Sequence, residues 1–306
     1  MTAMPSAMLP PRLLSDAVEM ACRAPSLHNS QPWRWVAEGT STLSLYAEPG
    51  RALTALDPLG REIYLSCGAA LDHLVVALAA AGWVADVRRF PDPAAPLHLA
   101  EIHFRPVVGD VSIHACERAE AILARHTDLH PFAAPAEWPR LEVTLRQTVI
   151  PYHVMFDTVL PPDRPRLAEA WQLAEELNPA DHRCQAESCW WESELDHSET
   201  VVLSTSHEDS RHDLLRCGEA LSAVLLDCTM AGQATCTLSH MTELAQPREL
   251  LRALIDQRGT PQVLIRVGQA EAKPGFTMTP RKSLAQVMDF QPEAPRLHAS
   301  TTSVES

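Results

Sequence analysis

Cys67-Gly68-Ala69-Ala70-Leu71 recurs as Cys217-Gly218-Glu219-Ala220-Leu221, and Ala81-Gly82 recurs as Ala231-Gly232, both at an offset of 150 residues. An offset kept without a gap at both ends of a segment points to a repeated unit, and a period of that length is a whole domain rather than a solenoid turn. From Gly68 to Ala81 the apolar residues run almost all the way round, interrupted by Asp72 and His73. The spacing therefore predicts a helix that begins near Cys67 and is buried on several sides, with His73 a hydrogen-bonded core or edge histidine. Gly82 ends this helix and Gly232 ends its counterpart over 217–231. A strand follows each, Val84 to Phe90 and Ala234 to Leu238, and each unit closes on another, Leu97 to Phe104 and Gln262 to Val267. The expected fold class is α+β: two copies of one unit, each an antiparallel sheet flanked by helices, joined through the buried helices into a pseudo-dimer within one chain. The first copy is assigned to 1–110, the second to 111–290, and the Pro/Ser/Thr-rich stretch 291–306 to a disordered tail.

Around this frame, Leu14, Ala17, Val18 and Ala21 recur at helical spacing, with Ser15 and Asp16 offering a capping oxygen and Pro25 ending the helix. Residues 47–64 read as surface loop with a short Leu53 to Leu56 segment inside it. Helices are expected from Ile113 to Leu123, Trp138 to Gln147 and Arg166 to Leu177. Val149 to Val159 reads as a strand broken by Pro151, Cys189-Trp190-Trp191 as an apolar knot in an acidic segment, and Val201 to Ser204 as a short strand.

Between the first helix and the first strand lies Ala24-Pro25-Ser26-Leu27-His28-Asn29-Ser30-Gln31-Pro32-Trp33-Arg34-Trp35, the chain's densest run of polar side chains between prolines and tryptophans. It is either a binding loop, with Ser26, His28, Asn29, Ser30 and Gln31 facing a ligand, or a turn whose side chains satisfy their own backbone.

The net charge of -14, from 25 Lys+Arg against 39 Asp+Glu, makes a nucleic-acid or anionic-membrane partner unexpected. A phosphate-bearing ligand would need a local cluster of Arg and Lys set against that field. Met1 to Pro11 has no apolar run of signal-peptide length, and the most apolar stretch, Leu74 to Val84, is well short of the roughly 20 residues that span a bilayer, so a cytoplasmic protein is expected. The eight cysteines show no C-x-x-C pair and no zinc spacing, and read as small buried apolar residues in a reducing compartment; no metal is expected.

Pro25-Ser26-x-x-Asn29-x-Gln31-Pro32-Trp33 resembles the P-S-x-x-N-x-Q-P-W motif of the FMN-dependent nitroreductase family, and the run from Arg23 to Trp33 resembles most closely the Acg-type mycobacterial members, which carry two copies of the fold in one chain. Arg125-His126-Thr127-Asp128 resembles the family's R-R-S-x-R sequence that holds the FMN phosphate, with His126 in place of an arginine and Leu129 at the last one. Thr279-Pro280-Arg281-Lys282-Ser283-Leu284 resembles its C-terminal P-x-R-K/R-P-L segment, with Ser283 replacing a proline. The resemblance implies a duplicated nitroreductase-like fold and one FMN per chain at the junction of the copies. Ser26, His28, Asn29, Ser30, Gln31 and Pro32 come from one copy, and Arg125, Thr127, Arg281 and Lys282 from the other, with a degenerate pseudo-symmetric counterpart. It implies an oxidoreductase that passes electrons from NAD(P)H through the flavin to nitro- or quinone-type acceptors; the alternative is a protein that sequesters FMN with little turnover. No side-chain acid, base or nucleophile stands out as catalytic, since the flavin carries the redox step itself. A surface that pairs subunits in homodimeric relatives would be covered within this chain, so a monomer is expected. Between Trp191 and Val201 the chain has a short acidic link where Acg-type relatives carry a longer segment over the flavin.

Overall fold

A computed structural model describes residues 8–53, 57–177, 196–206, 209–270 and 278–291. The readings of Cys189-Trp190-Trp191, of Leu53 to Leu56 beyond residue 53, of the 191–201 link before residue 196, and of the tail beyond residue 291 lie outside the described residues.

The chain begins with α1 (Pro11–Ala21), then β1 (Trp33–Glu38), β2 (Thr42–Ala47), the long helix α2 (Arg61–Ala80), β3 (Trp83–Arg89) and β4 (His98–Pro106). After α3 (Ile113–Ala124) and α4 (Trp138–Val149) come β5 (Met155–Thr158), α5 (Arg164–Leu177), β6 (Glu199–Thr205), the second long helix α6 (Arg211–Met230) and β7 (Ala234–Leu238). The short α7 (His240–Glu243), α8 (Ala245–Leu254), β8 (Thr260–Gly268), α9 (Leu284–Val287) and β9 (Met288–Gln291) follow. The fold is α+β. One sheet has the order β3-β4-β2-β1-β9 and the other β7-β8-β6-β5. Apart from β9 the two orders correspond strand for strand, and in both halves the long helix sits between the second and third strands. Those eight strands pair antiparallel as expected, whereas β9 joins β1 in parallel, Trp35 opposite Met288. The end of the chain thus returns to the first sheet.

Burial explains the layers. Trp33, Trp35, Leu43, Leu45 and Ile102 face α1 and α2, forming one core with Leu71 and Leu74. β8 is buried along its whole length because both faces are covered. Val263, Ile265 and Val267 pack with α4 and α6, and Leu264 packs with Trp171 and Leu251 from α5 and α8. α2 and α6 cross at the centre, where Asp72 Oδ2 accepts from Ser222 Oγ at 2.6 Å and Oδ1 from Tyr152 at 2.9 Å. α2 is long and apolar enough to cross a membrane, but 72% of its most apolar 18-residue stretch is buried inside the protein, which is the pattern of a core helix.

Several boundaries move. α2 starts at Arg61, not near Cys67, because Asp57 accepts from the Arg61 and Glu62 amides at 2.9 Å each and Gly60 takes a left-handed conformation at the helix start. The charges of Arg61 and Glu62 look like loop, yet both side chains are buried. α1 starts at Pro11 after Pro10 with no side-chain cap, so Ser15 and Asp16 are interior; it ends at Ala21, ahead of Pro25. The region after α4 turns through a short 3-10 segment, Ile150–Tyr152, leaving only Met155–Thr158 as strand. Cys22, Cys67, Cys217, Cys228 and Cys236 are buried as expected, whereas Cys116 on α3 is exposed because its helix face points outward.

Candidate functional site

The 26–31 loop is held in an unusual backbone shape. His28, Asn29 and Gln31 all have positive φ, at 46°, 58° and 50°. For residues other than glycine such torsions cost about 1 kcal/mol each, so the loop must be fixed by its surroundings. Ser26 Oγ accepts from the Gln31 amide at 3.0 Å, and Gln31 Nε2 donates to the Asn29 carbonyl at 3.2 Å. The C-terminal segment supplies the rest. Asn29 Nδ2 donates to the Pro280 carbonyl at 2.9 Å, and Gln31 Oε1 accepts from the Lys282 amide at 2.8 Å. Arg51 donates to the Trp33 carbonyl at 2.9 Å and to the Gln286 carbonyl at 2.6 Å, tying loop, β1 and α9 together.

The loop forms one wall of a cavity of about 360 Å3 at the junction of the two halves, within the size range of small-molecule sites. Other walls are Glu62, Leu65 and Ser66 of α2, residues 125–127 and Leu129 after α3, Leu221 of α6, Thr237 of β7, Ser239, His240, Val263 of β8, Thr279 and Arg281. The segment after α3 is positioned from below. Thr127 bridges Thr235 in parallel, the Asp128 amide donates to the Thr235 carbonyl at 3.1 Å, and Arg266, fully buried and paired with Asp196 at 2.7 Å, donates to the His130 carbonyl at 3.1 Å.

Of the residues expected at a site, Ser26, His28, Asn29, Arg125, Thr127 and Arg281 line this cavity together. Ser30, Gln31, Pro32 and Lys282 are not on its wall. Gln31 is an internal brace, the Pro32 carbonyl accepts from the Glu48 amide at 2.8 Å, and Lys282 meets the loop through its backbone. Arg281 lines the cavity with its guanidinium engaged, Nε donating to the Cys22 carbonyl at 3.0 Å and Nη2 to the Arg23 carbonyl at 3.1 Å. It clamps the chain end onto the carbonyls that follow α1.

Arg125 is different. It is 8% exposed, its Nε is sealed from solvent without a hydrogen-bond partner, and its guanidinium meets no carboxylate among the described residues. Burial, then the Arg281 and Arg23 guanidinium groups, push its pKa down to about 10. Arg23, which also lines the cavity, has an Nε in the same condition. The sequence reading placed neither Arg23 nor Glu62 in the site; Arg23 stands two residues before the Pro25 motif, which was the available signal, and Glu62 had none. His73 behind them is fully buried and held well below the ordinary histidine pKa by burial and then by Arg125.

The positions 150 residues from Ser239, His240 and Glu62 are Arg89, Phe90 and His212. These positions carry large side chains that are engaged with one another or with their neighbours. Arg89 makes a forked pair with buried Glu219 at 2.6 and 2.8 Å, and the Phe90 ring lies 4.3 Å from that of His212.

No protein-family model matches the chain. It is 45% identical over 325 residues to "Putative NAD(P)H nitroreductase acg" of Mycobacterium tuberculosis, covering 93% of this chain and 97% of that one. It is 35% identical over 317 residues to another protein of that organism, "Putative NAD(P)H nitroreductase Rv3131", with 90% of each chain covered. Among solved structures, that of a protein described as a putative nitroreductase from Anabaena variabilis superposes with a TM-score of 0.55 at 9% identity, over 85% of this chain and 88% of that one, which shows a shared fold.

Proposed function

This chain belongs to the Acg-type nitroreductase family, and from that premise we propose that it holds one FMN in the cavity between its halves and works as an oxidoreductase. Its electrons come from NAD(P)H and go to nitro- or quinone-type acceptors. When bound, the flavin supplies the redox chemistry, taking a hydride at its ring and passing electrons on. The observation that carries the reading is the unpaired, buried guanidinium of Arg125 beside that of Arg23 in the cavity wall. An uncompensated buried cation costs several kcal/mol, and a phosphate dianion is a partner that its forked donors fit. Ser26, His28, Asn29 and Thr127 add neutral donors and acceptors for the ribityl chain and the polar edge of the ring. Arg281 supports the site by clamping the chain end onto the carbonyls that follow α1 and by adding positive charge, while Lys282, off the wall, contributes its amide to Gln31.

One site per chain fits the Arg89–Glu219 pair and the Phe90 ring filling the counterpart positions. The duplicated order of strands and the α2–α6 contact support a monomer in which one chain does the work of two, and light scattering reads the mass. The enzyme reading is tested by mixing the flavin-loaded protein anaerobically with NADH or NADPH and following the oxidised flavin absorbance. Bleaching, reversed by a nitroaromatic or a quinone, is the expected result. A flavin that resists both nucleotides yet bleaches with dithionite contradicts the oxidoreductase reading and leaves a protein that sequesters FMN.

A further inference from the structure

Glu62 is a further polar group in the cavity wall with no partner among the described residues. It is 8% exposed, and its Oε1 is sealed from solvent without a hydrogen bond. The amides that a first-turn glutamate would ordinarily meet are taken by Asp57. The nearby cations are engaged as well. Arg61 donates to Asp209 at 3.1 Å and to the Thr242 carbonyl at 2.9 Å, while Arg248 donates to Asp209 at 2.7 Å and to the Thr242 carbonyl at 2.6 Å. From α7, Glu243, 5% exposed and held by Ser239 Oγ at 2.9 Å, adds a second buried carboxyl. Burial first and Glu243 second push Glu62 up to about 8, with Asp57 adding to the rise and Arg61 and Arg248 opposing it. At neutral pH the side chain is therefore a carboxylic acid with one O–H to donate.

Resting on the flavin reading above, we propose that Glu62 presents its carboxylic O–H to an acceptor atom on the bound flavin ring, so that the cavity answers the phosphate with unpaired arginines and the ring with an unpaired acid. Glu62 is then a specificity residue for a ligand edge rich in carbonyl and imine acceptors. Binding becomes linked to one proton, because the ionised form would set a carboxylate against those same acceptors.

The test is FMN titration of wild type, Glu62→Gln and Glu62→Ala from about pH 6.5 to 9.5, read by flavin fluorescence and by the position of its visible bands. Wild-type affinity should fall by about tenfold per pH unit once Glu62 ionises. Glutamine stays neutral and keeps an N–H donor, so Glu62→Gln should retain the neutral-pH affinity and lose that fall; Glu62→Ala should bind about tenfold more weakly at pH 7. Titration of FMN itself is common to all three proteins and cancels in the comparison. Equal pH dependence in wild type and Glu62→Gln overturns the proposal and leaves the cofactor reading standing. A wild type that binds no FMN at any pH overturns the cofactor reading, and the role of Glu62 falls with it.

Discussion

Gly68 and Gly218 lie against each other where α2 crosses α6: a Cβ on Gly68 would come within 2.9 Å of the Gly218 Cα and run into the Leu215 carbonyl oxygen, and a Cβ on Gly218 would run into the Leu65 carbonyl. Leu65 and Leu215 are themselves 150 residues apart, so the contact is reciprocal under the sequence offset, the relation expected of a two-fold interface. Backbone this close cannot give way like a flexible side chain. Gly68→Ala and Gly218→Ala should each lower stability by about 2–3 kcal/mol, seen as a lower urea midpoint at unchanged slope; an unchanged midpoint would contradict the close approach.

Arg125→Met should separate stability from binding. The ligand-free protein loses a buried, unpaired cation and should melt later, by about 1 kcal/mol or more. FMN affinity should fall by about 3 kcal/mol, since the phosphate loses its partner. The sign at neutral pH follows from the lowered pKa: a base that binds its proton less tightly when folded destabilises the fold while charged. A variant that melts earlier and binds as before would place Arg125 among the structural residues.

Arg281 acts through the chain end. Arg281→Lys keeps the charge but cannot span the Cys22 and Arg23 carbonyls with a planar fork. It should speed proteolysis within 278–291 and weaken FMN binding together. Full protection of that segment with normal affinity would remove the clamp from the account.

Legibility differed by level. The α2–α6 pair was readable because glycine at a helix crossing and an apolar run leave a mark in the chain itself, and the 26–31 loop was readable because several polar positions fall in one motif. Glu62 and Arg61 were hidden, since a charged pair after Pro58 and Gly60 looks like loop, and it is drawn into a buried helix by the local acceptor Asp57 together with the distant Asp209 and Thr242. Strand β9 was missed because Met288–Gln291, although it alternates apolar and polar, is only four residues long and takes its edge position from the distant β1. The division of labour between Arg125 and Arg281 was equally invisible: both are single arginines in sequence, and only folding shows that one meets carbonyls and the other is left unpaired.

Glu62 also ties ligand-free stability to pH. Its folded pKa is raised, so the fold binds the proton more tightly than the unfolded chain, and stability should decline as pH rises from the ordinary carboxylate range toward about 8. Glu62→Gln removes that slope. Thermal melts should show the two proteins similar near pH 5 and the variant more stable above pH 8; parallel curves would mean that Glu62 ionises freely.

If the unpaired arginines select a phosphate-bearing flavin, an equilibrium titration of the ligand-free protein with FMN and with riboflavin side by side reads that selection directly. Binding should saturate at one FMN per chain, riboflavin should bind more weakly by about a hundredfold or more, and the preference should collapse in Arg125→Met. Equal affinity for FMN and riboflavin, or a preference untouched by removing Arg125, would contradict that selection.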